Sequence, residues 1–436
     1  MKNLKYNPWS MHAKHSPVGI VTDVEYLDPQ KLSESGTSII PFGKGRSYGD
    51  VCMNNQGFLF DSESLDGIDF DNISGMVRCG AGVTLKQILD KTVPCGWMLP
   101  VVPGTKEVTV GGAIANDIHG KNHHRMGSFG NHVESFTLCT SYGKQIVCSP
   151  DTNFDLFQAT IGGLGLTGLI TSATIKLMKI SSPYMHVRNI PFNSISEFIE
   201  LSHKYDGEFL YSVGWLNVSQ KLGSGILQLG NHAEYSSVEH DYNKAKQVKV
   251  PQFFRVPGVI NKFTVRMINS LYAKLNSKDS GSKYYDAFLF PLDGLPSWNK
   301  IFFPKGFLQY QCLVPYPNAS VALDEILRIA ETSGSLSFLN VIKIFGTHSS
   351  LGKMSFPQEG VTMSLDFFKI NSELFELLDD MDAIIFDNGG KIYPAKDFRM
   401  NSQYFGSNFP KYREFEKFID PVFSSNYWRR VNNEQS

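Results

Sequence analysis

The sequence predicts an α+β fold in two regions, and three observations carry that expectation. Residues 36–178 alternate short strand-like and helix-like runs with glycine-rich loops. Residues 181–389 carry longer β-like runs with helical patterns among them, the texture of an antiparallel sheet covered by helices on one face. The pair Gly389-Gly390 then sets off a short polar segment, 391–399. A chain of 436 residues has room for roughly two to three domains, which agrees with such a division.

Taken in order, 37–41 and 57–60 read as strands, because both are short apolar runs bounded by turn residues. Between them lies Gly43-Lys44-Gly45-Arg46-Ser47-Tyr48-Gly49-Asp50. Successive N–H groups in such a loop form an anion nest, and Lys44 and Arg46 add charge. It lacks Walker spacing, and a tight surface turn is the competing reading. The run 84–95 reads as a helix with Thr84 as its N-cap. Next comes VPGTKEVTVGGAIANDIHGKNHHRMGSFGNH at 102–132. Its glycines let backbone approach a ligand, and its histidines and lysines bring titratable donors. Within it, 108–115 has the small side chains of a backbone-lined binding wall, where a packed helix or strand would carry more bulk.

A hairpin follows, 133–140 and Gln145–Cys148 around the turn 141–144, then a helix at Phe154–Thr160 and a strand at 169–178. Gly163, Gly165 and Gly168 spell G-x-G-x-x-G. They follow a helix-like run and precede a strand, the reverse of the dinucleotide fingerprint, so a Rossmann site is rejected. In the second region, 210–216, 225–229, 307–314, 338–345 and 361–367 read as strands, and Ile195–Tyr205, 321–332 and 373–387 as helices.

Composition bounds the function. A net charge of −1 argues against a general nucleic-acid binder. The six cysteines form no CxxC pair and suggest reduced thiols in a cytosolic protein. The N-terminus shows no apolar signal region, and no run is apolar enough to span a bilayer. His119, His123 and His124 do not read as a metal site, because Gly120 interrupts the helix and no carboxylate or cysteine completes the set. A histidine bonded to substrate or cofactor fits better. Lys396 beside Asp397 is by itself an ordinary surface pair. Between 244 and 278 there are eight Lys or Arg and no Asp or Glu, interleaved with Phe253, Phe254, Val259, Ile260, Phe263, Leu271 and Tyr272. Such a segment suits a membrane surface or an anionic amphiphile, with a solvated basic face as the alternative.

Three stretches, PFGKGRSYGD, PGTKEVTVGGAIANDIHGKNHH and MGSFGNHV, resemble the flavin-binding core of the vanillyl-alcohol-oxidase-type flavoproteins. Within that superfamily the chain is most similar to the decaprenylphosphoryl-β-D-ribose oxidase family. YSVGW at 211–215, KGFLQYQ at 305–311, Ile342-Lys343, SLDF at 364–367 and YPAKD at 393–397 extend the resemblance through most of the chain.

The resemblance implies a two-part FAD-binding domain, residues 1–180 completed by 390–436, and a substrate-binding domain, 181–389, with an antiparallel sheet flanked by helices. It implies FAD, with the pyrophosphate on backbone N–H groups of Gly43, Lys44, Gly45, Arg46 and Ser47. Thr105, Thr109, Gly112, Ala115 and His119 face the flavin, Gly168 and Ile170 flank the adenine side, and Tyr48, Tyr393 and Lys396 are further cofactor-binding positions. Many relatives tether FAD through a histidine that is matched here by Arg46, so the flavin is expected to be non-covalent. The implied reaction oxidises the 2-hydroxyl of a polyprenylphosphoryl pentose to a ketone. That step is the first half of an epimerisation feeding cell-envelope or surface polysaccharide synthesis, and a separate NAD(P)H-dependent keto reductase completes it. Lys396 matches a lysine that bridges substrate and flavin, and His119 and Tyr48 are candidates for the proton-accepting network. Trp215, Gln309, Gln311, Lys343 and Asp366 match substrate-pocket positions, with Lys343 a candidate for the phosphate. Ser364 stands where mycobacterial relatives carry a cysteine, so inhibitors that trap that thiol should fail. A lipid substrate gives 244–278 a meaning as a peripheral membrane contact of a cytoplasmic enzyme. A soluble sugar or alditol oxidase or dehydrogenase of the same superfamily is the alternative. A redox-inactive flavin- or lipid-binding protein is the third, opposed by intact Lys396, His119 and Tyr48.

Overall fold

The computed structural model describes residues 4–12, 15–23, 36–217, 221–234, 261–276, 281–295, 297–302, 305–334, 336 and 339–432. Of the basic segment, only 261–276 lies among them, and residue 338 of the expected strand 338–345 also falls outside.

The first region is built on two small sheets. Gly19–Val21 and Ile39–Phe42 flank Phe58–Asp61 in parallel. A five-stranded antiparallel sheet runs in the order Ile68–Asp71, Met76–Gly80, Leu169–Lys176, Val133–Cys139, Gln145–Cys148. The hairpin 68–80 is an addition to the expected elements, although Ile68 and Phe70 alternate with Asp69 and Asp71. Thr84 caps the helix Leu85–Thr92 with a complete capping box, its oxygen accepting from the N–H of Gln87. Val110–Ala115 is also a helix, capped by Thr109, and this corrects the expectation of an irregular wall. The residues are small because the helix lies tight on residue 81: a Cβ on Gly111 would come within 3.1 Å of the Ala81 methyl.

The second region is an eight-stranded sheet. Its order is Ser282–Tyr284, Tyr184–Phe192, Gly225–His232, Tyr211–Leu216, Val341–Phe345, Gly360–Phe367, Leu308–Val314, Lys391–Ile392, antiparallel throughout. Helices Ile195–Tyr205, Tyr316–Thr332 and Ser372–Asp387 cover one face and share its core. In the sequence, 181–192 shows only a change of texture. Tyr184–Phe192 is in fact a strand that buries Met185, Val187 and Asn189 and turns His186 outward, a period of two masked by its polar members.

After Lys391–Ile392 the chain returns to its beginning. Ile39 N–H donates to Val422 O at 2.8 Å, and Asn426 N–H donates to Met53 O at 2.8 Å. Arg430 grips Asp50 at 2.7 Å and Asp397 at 3.1 Å. The C-terminal segment therefore locks the first glycine loop to the segment that carries Lys396.

Candidate active site

A cavity of about 1170 Å³ lies between the glycine loops and the uncovered face of the large sheet. Pockets for one drug-sized ligand span roughly 300–1,000 Å³, so this one has room for a large cofactor together with a substrate. Each of the residues singled out above as a cofactor or substrate contact lines it.

The first wall is mostly backbone and small side chains. Gly43 sits against Thr109, where a Cβ would collide with the threonine hydroxyl. The two loops are further pinned by Arg46, whose Nε donates to Glu107 O at 3.3 Å and whose guanidinium lies 4.1 Å from the Trp9 ring centroid. Lys44 turns away, pairing with Glu63 at 2.5 Å. The charge of the loop thus rests on Arg46 more than on Lys44. Tyr48 and Gly49 both donate backbone N–H groups to Ala395 O, at 2.8 and 3.2 Å. Gly49 must be glycine, since a Cβ would overlap the Asp397 carbonyl oxygen.

The second wall is made by alternate residues of four adjacent strands. The register sets Gln309 beside Asp366, Gln311 beside Ser364, Val341 beside both Trp215 and Ser364, and Lys343 beside Thr362. The intervening Tyr310, Cys312, Ile342, Met363 and Leu365 point into the helix-covered core. A period of two thus delivers the polar set to the cavity and the apolar set to the core.

His119 stands where the walls meet, 6% exposed, with ring centroids of Phe345 and Tyr393 at 4.8 and 5.3 Å. Thr362 donates its hydroxyl to Cys312 O at 2.8 Å and so accepts from Gln311 Nε2 at 3.2 Å. Gln311 Nε2 also reaches His119 Nε2 at 3.0 Å. An amide nitrogen only donates, so this bond assigns the lone pair to Nε2 and the proton to Nδ1. Nδ1 has no protein partner among the described residues. Burial and the neighbouring Lys343 hold the His119 pKa well below the ordinary histidine value, so the ring is neutral.

Lys396 Nζ lies 3.4 Å from the Tyr48 ring centroid. Burial drives its pKa down, with attraction to Asp366 opposing and repulsion from Lys343 adding. The same burial raises Asp366, against a hydrogen bond from Gln309 and the pull of Lys396. Lys343 is pushed down to about 8 by burial alone. Tyr48 is raised well above the ordinary phenol, by burial and by Asp366. His123 and His124 belong to the packing beside the site: the His123 ring packs tilted against Phe345 with centroids 4.3 Å apart, and His124 Nε2 lies 3.2 Å from Phe209 O.

Three further residues go beyond the expected set. Lys121 lines the cavity, bonds Phe288 O, and is pushed down to about 7 by burial and by Lys343. It lies inside the histidine-rich stretch, where nothing in the sequence sets it apart from its neighbours. Asn116 lines the cavity with Oδ1 unpartnered among the described residues, while its Nδ2 donates to Gly112 O at 2.9 Å. Arg430 carries no local signal, since its partners lie 380 and 33 positions away.

These features fit FAD. The glycine loops line the cavity with backbone, a cradle a diphosphate can approach closely, and Asn116 and His119 line the wall beside it, where a heteroaromatic ring has room to lie.

A family model described as an FAD binding domain matches residues 30–149. The chain is similar to decaprenylphosphoryl-beta-D-ribose oxidase of Mycolicibacterium smegmatis, with 36% identity over 416 residues that cover 91% of this chain and 90% of that protein. Shorter similarities reach D-lactate dehydrogenase of Archaeoglobus fulgidus, 31% identical over 36% of each chain, and Delta(24)-sterol reductase of Homo sapiens, 27% identical over 34% of this chain and 29% of that one. The short matches cover about a third of the chain and carry names of different chemistries, whereas the long one spans both walls of the cavity. On that match the protein is an FAD-dependent oxidoreductase and belongs to the decaprenylphosphoryl-β-D-ribose oxidase family.

Proposed function

We propose that the protein oxidises the 2-hydroxyl of a polyprenylphosphoryl pentose, ribose by preference, to the 2-keto sugar. The observation that carries this reading is the positive charge gathered in the cavity. Two desolvated lysines, Lys121 and Lys343, stand in the same cavity as the Lys396–Asp366 pair, and a neutral sugar does not need such an excess of cations. In this reading residues 1–180 with 390–436 hold the cofactor, and 181–389 hold the substrate. Gly43 to Ser47, Thr105, Thr109, Gly112 and Ala115 would hold FAD, with Gly168 and Ile170 at its far end and His119, Asn116 and Tyr393 along the ring. Arg46 offers no nucleophile for a covalent tether, so the flavin is released by acid.

Bound FAD supplies the two-electron acceptor for the carbinol hydride. The hydroxyl proton goes to the protein, and the C=O bond forms as both leave. Lys396 is the acceptor we favour, because burial keeps part of it as free amine and Asp366 then stabilises the ammonium. Tyr48 holds the ammonium over its ring. Its own raised pKa keeps it a phenol, and the engaged Nε2 of His119 leaves that ring as a hydrogen-bond donor. Gln309 orients Asp366, while Lys121 and Lys343 neutralise the phosphate. Trp215 and Gln311 shape the sugar pocket. The 2-keto product needs a separate hydride-donating reductase to complete an epimerisation.

The test is anaerobic titration of the yellow protein. Polyprenylphosphoryl ribose should bleach the flavin stoichiometrically, and free ribose and alditols should leave it oxidised. Bleaching by free sugar or alditol but not by the lipid phosphate would overturn the reading in favour of a soluble sugar oxidase.

A further inference from the structure

The helix Lys262–Asn276 has two faces with different surroundings. Asn261 caps it, its Oδ1 accepting from the N–H groups of Phe263 and Thr264 at 2.9 and 3.1 Å while Thr264 Oγ1 accepts from Asn261 N–H at 2.9 Å. Helical periodicity puts Val265, Ile268 and Asn269 on one side and Phe263, Met267 and Leu271 on the other. The inner side faces the cavity. Ile268 and Asn269 line it, and both amide atoms of the fully buried Asn269 lack a partner among the described residues. The outer side is in water, with Phe263, Met267 and Leu271 exposed by 76%, 57% and 57%. No other helix among the described residues leaves more than one large apolar side chain so exposed.

Arg266 and Lys274 are exposed beside this ridge, and 262–276 contains no Asp or Glu. An apolar ridge flanked by cations complements a surface that is anionic outside and apolar beneath. A second copy seated two-fold on the same ridge would bring these cations against their own kind. We propose that the outer face of this helix docks on an anionic lipid bilayer. Phe263, Met267 and Leu271 enter the interfacial layer, and the cavity on the reverse of the same helix is thereby set against the lipid surface. The docking stands on the exposed ridge; its use in loading substrate rests on the lipid-phosphate reading above.

The experiment sediments the flavin-loaded protein with phosphatidylcholine vesicles, with and without phosphatidylglycerol. The protein should pellet with the anionic vesicles. The triple variant Phe263→Ser, Met267→Ser, Leu271→Ser should bind about tenfold more weakly or worse, and so should Arg266→Glu with Lys274→Glu. Tm and flavin spectrum should stay unchanged, since these side chains touch water. The triple variant should turn over a water-soluble short-chain substrate like the parent, and a vesicle-embedded one about tenfold more slowly. A parent that ignores both vesicle types overturns the proposal. So does a triple variant that binds as the parent does, or one whose only change in light scattering is from dimer to monomer. Vesicle binding through the ridge without turnover of any lipid-phosphate pentose would leave the docking intact and sink the substrate reading instead.

Discussion

The two walls of the cavity are built on opposite principles. The loop side presents backbone: Gly43, Gly112 and Ala115 contribute almost no side chain, and function there is set by how closely main chain can approach. The sheet side presents side chains: Gln309, Gln311, Lys343 and Asp366 project from adjacent strands, and function there is set by charge in a desolvated place. The first kind of wall suits a large cofactor held through many weak, repeated contacts. The second suits a small reacting centre surrounded by a few strong groups. Substitutions should therefore fail differently on the two sides.

The largest separation is expected between Lys396→Met and Gly43→Val. The lysine variant should remain yellow and fold normally, yet lose about a thousandfold in kcat/KM, the usual worth of a general base. A yellow variant with near-parent kcat/KM would remove Lys396 from the proton path. The glycine variant should be purified colourless, because its side chain collides with Thr109 and spreads the loops. Full flavin occupancy in that variant would show that the loop wall tolerates bulk and is not the cradle.

A smaller effect sharpens the electrostatic half of the contrast. If Lys396 accepts the proton, kcat/KM rises with pH through the pKa of that amine. Asp366 attracts the ammonium and holds that pKa up, so Asp366→Asn should lower it and shift the acidic limb to lower pH. An acidic limb that stays in place in Asp366→Asn would assign the titration to another group.

The smallest effect is expected from thiol reagents. Cys95 is exposed and should label readily. Cys52 lines the cavity, but burial pushes its thiol up to about 12, and the sheet side carries Ser364 instead of a thiol. Activity should stay within about twofold of the untreated enzyme. Inactivation that tracks labelling at Cys52 would show that the cavity is wetter than its lining implies.

The same contrast explains how much of the site is legible in the amino-acid sequence. The loop wall is nearly contiguous, so 43–50 and 102–132 announce a ligand by composition alone. The sheet wall is scattered over Trp215, Gln309, Gln311, Lys343, Ser364 and Asp366, and only the strand register brings these together. Nothing local distinguishes Lys343 in VIKIF from any lysine on a strand, so resemblance to a family finds what periodicity cannot. Where the sequence misleads, the physical cause is visible. The helix Val110–Ala115 is hidden because its small residues serve close packing instead of an apolar stripe. The strand Tyr184–Phe192 is hidden because polar residues interrupt its apolar alternation. Asn269 gives no signal at all, since a single amide in an amphipathic helix is ordinary until its surroundings prove dry.

The clasp of Arg430 on Asp50 and Asp397 also has a bearing on how the protein is made. Asp50 leaves the ribosome 380 residues before its partner, a delay of roughly twenty to eighty seconds at ordinary rates of synthesis. For most of that interval the glycine loops have neither Ala395 nor Arg430 to close on, and Arg430 comes last. With the loops as the proposed cradle, cofactor uptake becomes a late event in the birth of this enzyme, and a nascent chain stalled before its last helix should be colourless and in need of protection.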